Sequence, residues 1–284
     1  MRKYYDHIWK LAHGRNLDIN AKSIIMAIVN FTPDSFSDGG RYLDVEKAIS
    51  YSINCLEQGA DIIDIGGEST RPGAIPINAK EEQKRIIPVI EELANRTNAI
   101  ISVDTYKYET AELAIKAGAH IVNDVCGLQN NKNMAEIISK YSAGVCIMHT
   151  GRNRKKIFDV FEDQFYFLNN SLKIALREGI SRNNIVIDPG FGFEKNITES
   201  LALIAGFSKF RHIDFPILIG VSRKKFLGKI TKITNPLDLD SSTVAVNCLL
   251  RSAGANIFRV HNVEANRNAL STVDAIMQAK DNIK

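Results

Sequence analysis

A chain of 284 residues that is 45% hydrophobic and 24% charged has ordinary soluble composition and enough length to bury one large core. Its 36 basic and 32 acidic residues leave a net charge of +4, which suits an anionic ligand and makes no case for nucleic acid. No early apolar run suits a signal peptide and no run of about 18 apolar residues suits a membrane span, so a cytoplasmic protein is expected.

Residues 1–20 read as a polar, irregular extension that covers one end of the core, with Trp9 and Leu11 as anchors. Residues 24–29 are a continuous apolar run, the pattern of a strand buried on both faces. The run ends at Asn30 and gives way to a loop rich in turn formers over 31–40. A helix is predicted over 44–58, capped by Asp44 and ended by Gly59. The next strand opens the stretch 61–73, which stops in Gly66-Gly67 and then carries Glu68, Ser69, Thr70, Arg71 and the turn Pro72-Gly73. After it come a helix over 80–95, a strand over 100–103 tipped by Asp104, and a helix over 107–117. A short strand at 121–122 is tipped by Asn123 and Asp124, and a helix over 133–141 leads to a strand over 144–148 tipped by His149. The basic run 152–156 lacks interleaved aromatics and reads as a solvated loop. A long helix over 158–177 precedes a strand over 185–187 tipped by Asp188. The remaining units are a helix over 198–206, a strand over 216–221 tipped by Ser222-Arg223-Lys224, a helix over 239–253, a strand over 257–260 tipped by His261, and a helix over 263–279. Cys55, Cys146 and Cys248 lie among apolar neighbours and read as reduced core thiols; with Cys126 they form no CxxC pair.

Eight strand-then-helix units imply parallel neighbours joined by crossovers. The predicted fold is a single-domain (β/α)8 barrel, with every strand C-terminus opening onto one face. A doubly wound open sheet is the alternative. In a barrel the polar tips Asn30, Thr70, Arg71, Asp104, Asn123, His149, Asp188, Ser222, Arg223, Lys224, Arg259 and His261 converge. An Asp after a strand is by itself most often a helix cap, but capping does not call for Lys, Arg and His as well. Asp104, Asn123 and Asp188 match the donor-rich edge of a pterin-like heterocycle. Lys224, Arg259 and His261 follow strands seven and eight, a common phosphate site in barrels. The alternatives for Lys224 are a Schiff-base role or an ion pair with Asp188. Asn30 can offer one oxygen to Mg2+, which needs few protein ligands when phosphates and water complete its shell.

The stretches IMAIVNFTPDSFSDGG (25–40), DIGGESTRPG (64–73), DPGFGF (188–193) and SRK (222–224) closely resemble dihydropteroate synthases of the folate pathway. SVDT (102–105), VND (122–124) and RVH (259–261) agree in order and spacing, and the resemblance runs from about Trp9 to the last helix. It implies a transferase that joins 4-aminobenzoate to 6-hydroxymethyl-7,8-dihydropterin diphosphate and releases diphosphate. Carried over residue by residue, it implies that Asp104, Asn123, Asp188 and Lys224 hold the pterin. Arg259, His261 and Arg71 would hold the diphosphate, with Asn30 on its Mg2+. Phe36, Thr70, Arg71, Pro72, Phe193, Ser222 and Lys224 would form the aminobenzoate pocket. Asp34 and Phe36 lie on the loop that would close over the substrates, Asp34 helping to place Mg2+ or the cationic carbon. The resemblance also implies inhibition by sulfonamides and a homodimer. Two departures fall at the rim: Glu194 stands where a small residue is usual, and the loop after His149 is shorter. A pterin-dependent methyl transferase would have no use for Arg259, His261 and the Mg2+ ligand. An inactive pterin-binding relative should have lost Asp34, Phe36 and Arg71, all of which are present.

Overall fold

The computed structural model describes residues 8–19, 22–31, 40–69 and 73–282. Ten strands occur among them. β1 (Ile8–Lys10) and β2 (Asn16–Asp18) form an antiparallel hairpin. β3 (Ile24–Asn30), β4 (Ile62–Gly66), β5 (Ile100–Asp104), β6 (Ile121–Asp124), β7 (Gly144–Met148), β8 (Ile185–Asp188), β9 (Leu218–Ile219) and β10 (Ile257–Val260) form one parallel sheet in the order β8-β7-β6-β5-β4-β3-β10-β9. A parallel bridge between Ile187 and Ile217 joins the two ends of that sheet. The crossovers are α1 (Gly40–Glu57), α2 (Ala79–Arg96), α3 (Tyr108–Lys116), α4 (Lys132–Lys140), α5 (Val160–Arg177), α6 (Ile197–Ala205), α7 (Lys225–Thr231) and α8 (Asp240–Ala253), with α9 (Val263–Asn282) after the last strand. This is the (β/α)8 barrel.

Alternate residues of each strand go to opposite sides of the barrel wall. Ile24, Met26, Ile62, Ile100, Ile121, Cys146, Val186, Leu218 and Ile257 form an inner cluster plugged from below by Trp9, Leu11 and Ile19. Their neighbours Ile25, Ile63, Ile101, Val122, Val145, Ile185, Ile219 and Phe258 belong to the outer core under the helices. Counting by twos from the inner set reaches Asn30, Asp64, Asp104, Asn123, Asp188 and Arg259. The apolar half of the interior therefore closes the bottom, and the same inward positions turn polar toward the top. Asp124 has the outward parity and is spent on a turn, accepting from the amides of Cys126 at 2.8 Å and Leu128 at 2.7 Å.

The structure corrects several local expectations. The N-terminal segment is a hairpin, not irregular chain, because His13 and Gly14 both take left-handed backbone (φ +58° and +69°) and reverse it sharply. Trp9 and Leu11 are buried as expected, and the Trp9 indole donates to the Asn184 carbonyl at 2.8 Å. Asp44 lies inside α1 and does not cap it; the backbone becomes helical before the apolar stripe starts at Val45. β9 is only two residues long, since Pro216 has no N–H to give a ladder. α7 escaped the sequence reading: seven residues with Gly228 at their centre show no sustained apolar period. The four cysteines are free thiols, with Cys55 and Cys146 buried and Cys248 partly so.

Candidate active site

The floor of the mouth is one rung of the sheet, where Asn30 pairs with Gly66, Gly66 with Asp104, and Asp104 with Asn123. Arg259, from β10, reaches across this rung. Its Nε donates to Asp64 Oδ2 at 2.6 Å and its Nη2 to Asp104 Oδ2 at 2.7 Å. Asn123 Nδ2 donates to the same Asp64 oxygen at 3.2 Å. The remaining oxygens, Asp64 Oδ1 and Asp104 Oδ1, are buried without a hydrogen-bond partner among the described residues. Burial pushes the Asp104 carboxyl up to about 7, against the pull of Arg259. Burial also opposes the charge on Arg259, but Asp64 and Asp104 hold it above its ordinary value, so it stays a cation.

Asp188 ends β8, and its Oδ1 accepts from the Gly190 amide at 2.6 Å. Burial raises its pKa. Gly190 has φ +66°, and a Cβ there would lie 1.9 Å from the His149 carbonyl oxygen, so only glycine fits. The turn it makes sets the buried Phe193 ring beneath Lys224, whose Nζ stands 4.4 Å from the ring centroid. Burial lowers Lys224 to about 8, with Asp188 working against the fall. Across the mouth, Ser222 Oγ and His261 Nδ1 are 2.9 Å apart, and the His261 amide donates to the same hydroxyl at 3.2 Å.

Capping does not account for these groups. The side chains that cap α4, α5 and α6 are Asn131, Asp159 and Asn196, and α3 follows Lys107 without a side-chain cap. Of the sequence tips, Asn30, Asp104, Asn123, Asp188, Lys224 and Arg259 share the inner mouth, with Phe193, Ser222 and His261 at its rim. Two tips turn elsewhere. Arg223 forks onto Asp240 of α8 at 2.7 and 2.8 Å, and His149 is buried against Asp163 of α5. Asp34, Phe36, Thr70, Arg71 and Pro72 lie outside the described residues.

Asn30 supplies a hard oxygen suited to Mg2+. Its Oδ1 lies 3.5 Å from where a side chain at Gly66 would begin, so glycine leaves room beside it. Among the described residues no group of three His, Cys, Asp or Glu could hold a metal, so a cation here would need water or phosphate oxygens in its shell.

The basic run is more ordered than a solvated loop. Arg154 donates to both oxygens of Asp163, Lys156 pairs with Glu199 at 2.7 Å, and Arg152 lies over the Phe193 ring at 4.5 Å. Only Asn153 and Lys155 in that run are exposed. α5 and α6 bring acceptors beneath these charges, and a count of charges along the chain does not show them.

The family profile described as pterin binding enzyme matches residues 26–261, which span this site from β3 to His261. The dihydropteroate synthase of Bacillus subtilis is 39% identical over 261 residues, covering 92% of this chain and 91% of that protein. This chain belongs to the dihydropteroate synthase family. The dihydropteroate synthase of Clostridium difficile, solved in the presence of pteroic acid, is 42% identical with a TM-score of 0.87, covering 90% of this chain and 97% of its own. That of Xanthomonas albilineans with 4-aminobenzoic acid is 37% identical with a TM-score of 0.90, covering 95% and 98%. Glu194, at the rim, is exposed and has φ +52°, a left-handed backbone that strains any residue carrying a Cβ.

The sequence reading gave no role to Asp64 or Lys195. Asp64 had a signal, a carboxylate inside a strand that is otherwise apolar. Lys195 had none, because its partners are two carbonyls of its own loop and a histidine from another.

Proposed function

We propose that this chain condenses 6-hydroxymethyl-7,8-dihydropterin diphosphate with 4-aminobenzoate to give 7,8-dihydropteroate and diphosphate. The observation that carries the reading is the Arg259 bridge between Asp64 and Asp104, set beside Asn123 on the floor of a mouth that also holds Asp188 and Lys224. Carboxylates with an unused buried oxygen suit the N–H and NH2 edge of a pterin, and a ring lacking those donors would leave them unpaired.

In this reading Asp104, Asn123, Asp188 and Lys224 hold the pterin. Arg259, His261 and Arg71 take the diphosphate. Phe193, Ser222 and Lys224, with Phe36, Thr70, Arg71 and Pro72, take the aminobenzoate. Mg2+ bound at the Asn30 oxygen would neutralise charge on the diphosphate. The pterin methylene C–O bond breaks and its electron pair leaves with diphosphate, steadied by Arg259 and His261. The arylamine lone pair then forms the C–N bond, and the surplus ammonium proton is released. Asp34 would act near the cationic carbon. Asp104 as carboxylate and Arg259 as guanidinium keep the cationic ring and the anionic leaving group on opposite sides of one ion pair.

A cytoplasmic homodimer is part of the proposal. Among the described residues no helix is long and apolar enough to cross a membrane, and α8 and α9 carry the exposed side chains Leu249 and Ile276.

The test is diphosphate release from the pterin substrate, expected to need both 4-aminobenzoate and Mg2+ and to be blocked competitively by a sulfonamide. Lys224→Ala should raise KM for both substrates by about tenfold or more. Folded wild-type protein that releases no diphosphate, or that transfers a methyl group instead, refutes the assignment.

A further inference from the structure

One buried charged cluster beside the mouth has no part in the chemistry above. His149 follows β7 and is 1% exposed. Its Nδ1 is 2.9 Å from Lys195 Nζ, and its Nε2 is 3.1 Å from Asp163 Oδ2. An ammonium has only donors, so Nδ1 accepts from Lys195, while Nε2 stands between Asp163 Oδ2 and Arg154 Nη2, the latter 2.9 Å away. Burial, and then Lys195, hold His149 near 3, so it is neutral. The other two bonds of Lys195 go to the carbonyls of Gly190 at 2.8 Å and Phe193 at 3.3 Å. Three acceptors from two loops thus fix one ammonium.

Those two carbonyls bound the segment that connects the pterin end of the site to the arylamine end. Gly190 is held from both sides, its N–H by Asp188 and its C=O by Lys195. Phe193, at the other end, supplies the ring under Lys224. The position is electrostatically unfavourable for a lysine. Lys195 directly precedes Asn196, the N-cap of α6, where the helix end is already positive. Lys224 and Lys156 repel it further, and burial pushes it down to about 7, with Asp188 pulling the other way. Its three bonds and the carboxylates of Asp188 and Asp163 hold it there against that field.

We propose that Lys195 is a positioning residue for the substrate pocket, gripping Gly190 and Phe193 so that the Phe193 ring stays beneath Lys224 and Asp188 stays aimed at the ring site. It acts without touching substrate, and the proposal rests on the synthase reading above. Loss of the grip loosens the arylamine wall first, because the Phe193 carbonyl is then left with the long 3.4 Å bond from the Gly151 amide, whereas Asp188 keeps its 2.6 Å bond to Gly190.

The experiment is steady-state diphosphate release from pH 6 to 9 at saturating pterin diphosphate, with 4-aminobenzoate varied, for wild type, Lys195→Met and Lys195→Arg. Lys195→Met should raise KM for 4-aminobenzoate about tenfold while kcat falls less than about threefold. Lys195→Arg should stay within about threefold of wild-type KM. Wild-type KM should rise above a pH of about 7 as the ammonium loses its proton, and the Met variant should be flat there. The charged groups facing Lys195 are Asp188, Lys224, Asp163 and Lys156, with His149 neutral and Arg154 behind it. Of these, Lys224 is lowered only to about 8, so its own step survives in the Met variant at higher pH. An unchanged KM in Lys195→Met overturns the proposal. So does a rate loss that matches the fraction unfolded in a parallel melt, or a pH step near 7 that persists in Lys195→Met. Wild-type protein that releases no diphosphate at any pH overturns the synthase reading and this proposal with it.

Discussion

Asp64 is fully buried and accepts from both Arg259 and Asn123 through one oxygen, which makes it the hub of the site although it faces no open space itself. Its neighbours Asp104, Asn123 and Asp188 were legible in the sequence because each ends an apolar run, where a polar residue stands out. Asp64 sits two residues before its strand ends, and only the two-residue alternation places it on the same wall as Asp104. Arg259 was legible as a cation of strand eight, but the sequence offered nothing to say that two carboxylates would hold it. Asp64→Asn keeps the shape of the side chain and removes the charge. Leaving Arg259 with Asp104 alone should lower stability by about 3 kcal/mol, as when one partner of a buried pair is removed. Urea unfolding of wild type and variant measures it, and an unchanged midpoint would mean that Asp104 alone suffices to hold the guanidinium.

At the scale of elements, what was readable was periodic and what was missed was short. Eight apolar runs alternating with amphipathic helices can hardly be anything but parallel strands with crossovers. The β1-β2 hairpin and α7 lack enough residues to show a period, and their form is set by turn glycines and by the surfaces they meet. The hairpin matters because a barrel open at the bottom would expose Ile24, Met26, Ile62 and Ile257 to water. Trp9 closes that end, 1% exposed and bonded to the Asn184 carbonyl. Trp9→Ala should therefore cost about 3 to 5 kcal/mol of stability, the usual range for emptying an aromatic site. Because the substrate mouth lies at the opposite end, KM for both substrates should stay near wild type in the fraction that remains folded. A thermal melt read beside the synthase assay separates the two effects; a raised KM with an unshifted melt would show the two ends of the barrel to be coupled.

Across the whole molecule, burial of charge for function should leave a mark on how stability depends on pH. Asp104 has a folded pKa raised to about 7, so the native state binds its proton more tightly than the unfolded chain does. Its contribution favours the fold at low pH and is lost as pH rises from its ordinary value of about 4 through about 7. Asp188 and Asp124, also raised by burial, act in the same direction. His149 and His120 act the other way over much of that window: burial lowers them to about 3 and about 4, so the unfolded chain is the form that binds more protons. These slopes oppose one another, so the informative quantity is the difference between wild type and Asp104→Asn. That difference should move against wild type by on the order of 2 kcal/mol between pH 4 and pH 7, since the amide cannot titrate. Denaturant unfolding at several pH values measures it. A difference that stayed constant would place the Asp104 carboxyl in its ordinary range, with Arg259 neutralising the burial in full. If the difference moves as expected, bound pterin should reverse it, because a ring that donates N–H groups to Asp104 favours the carboxylate and must expel the proton that the empty site retains.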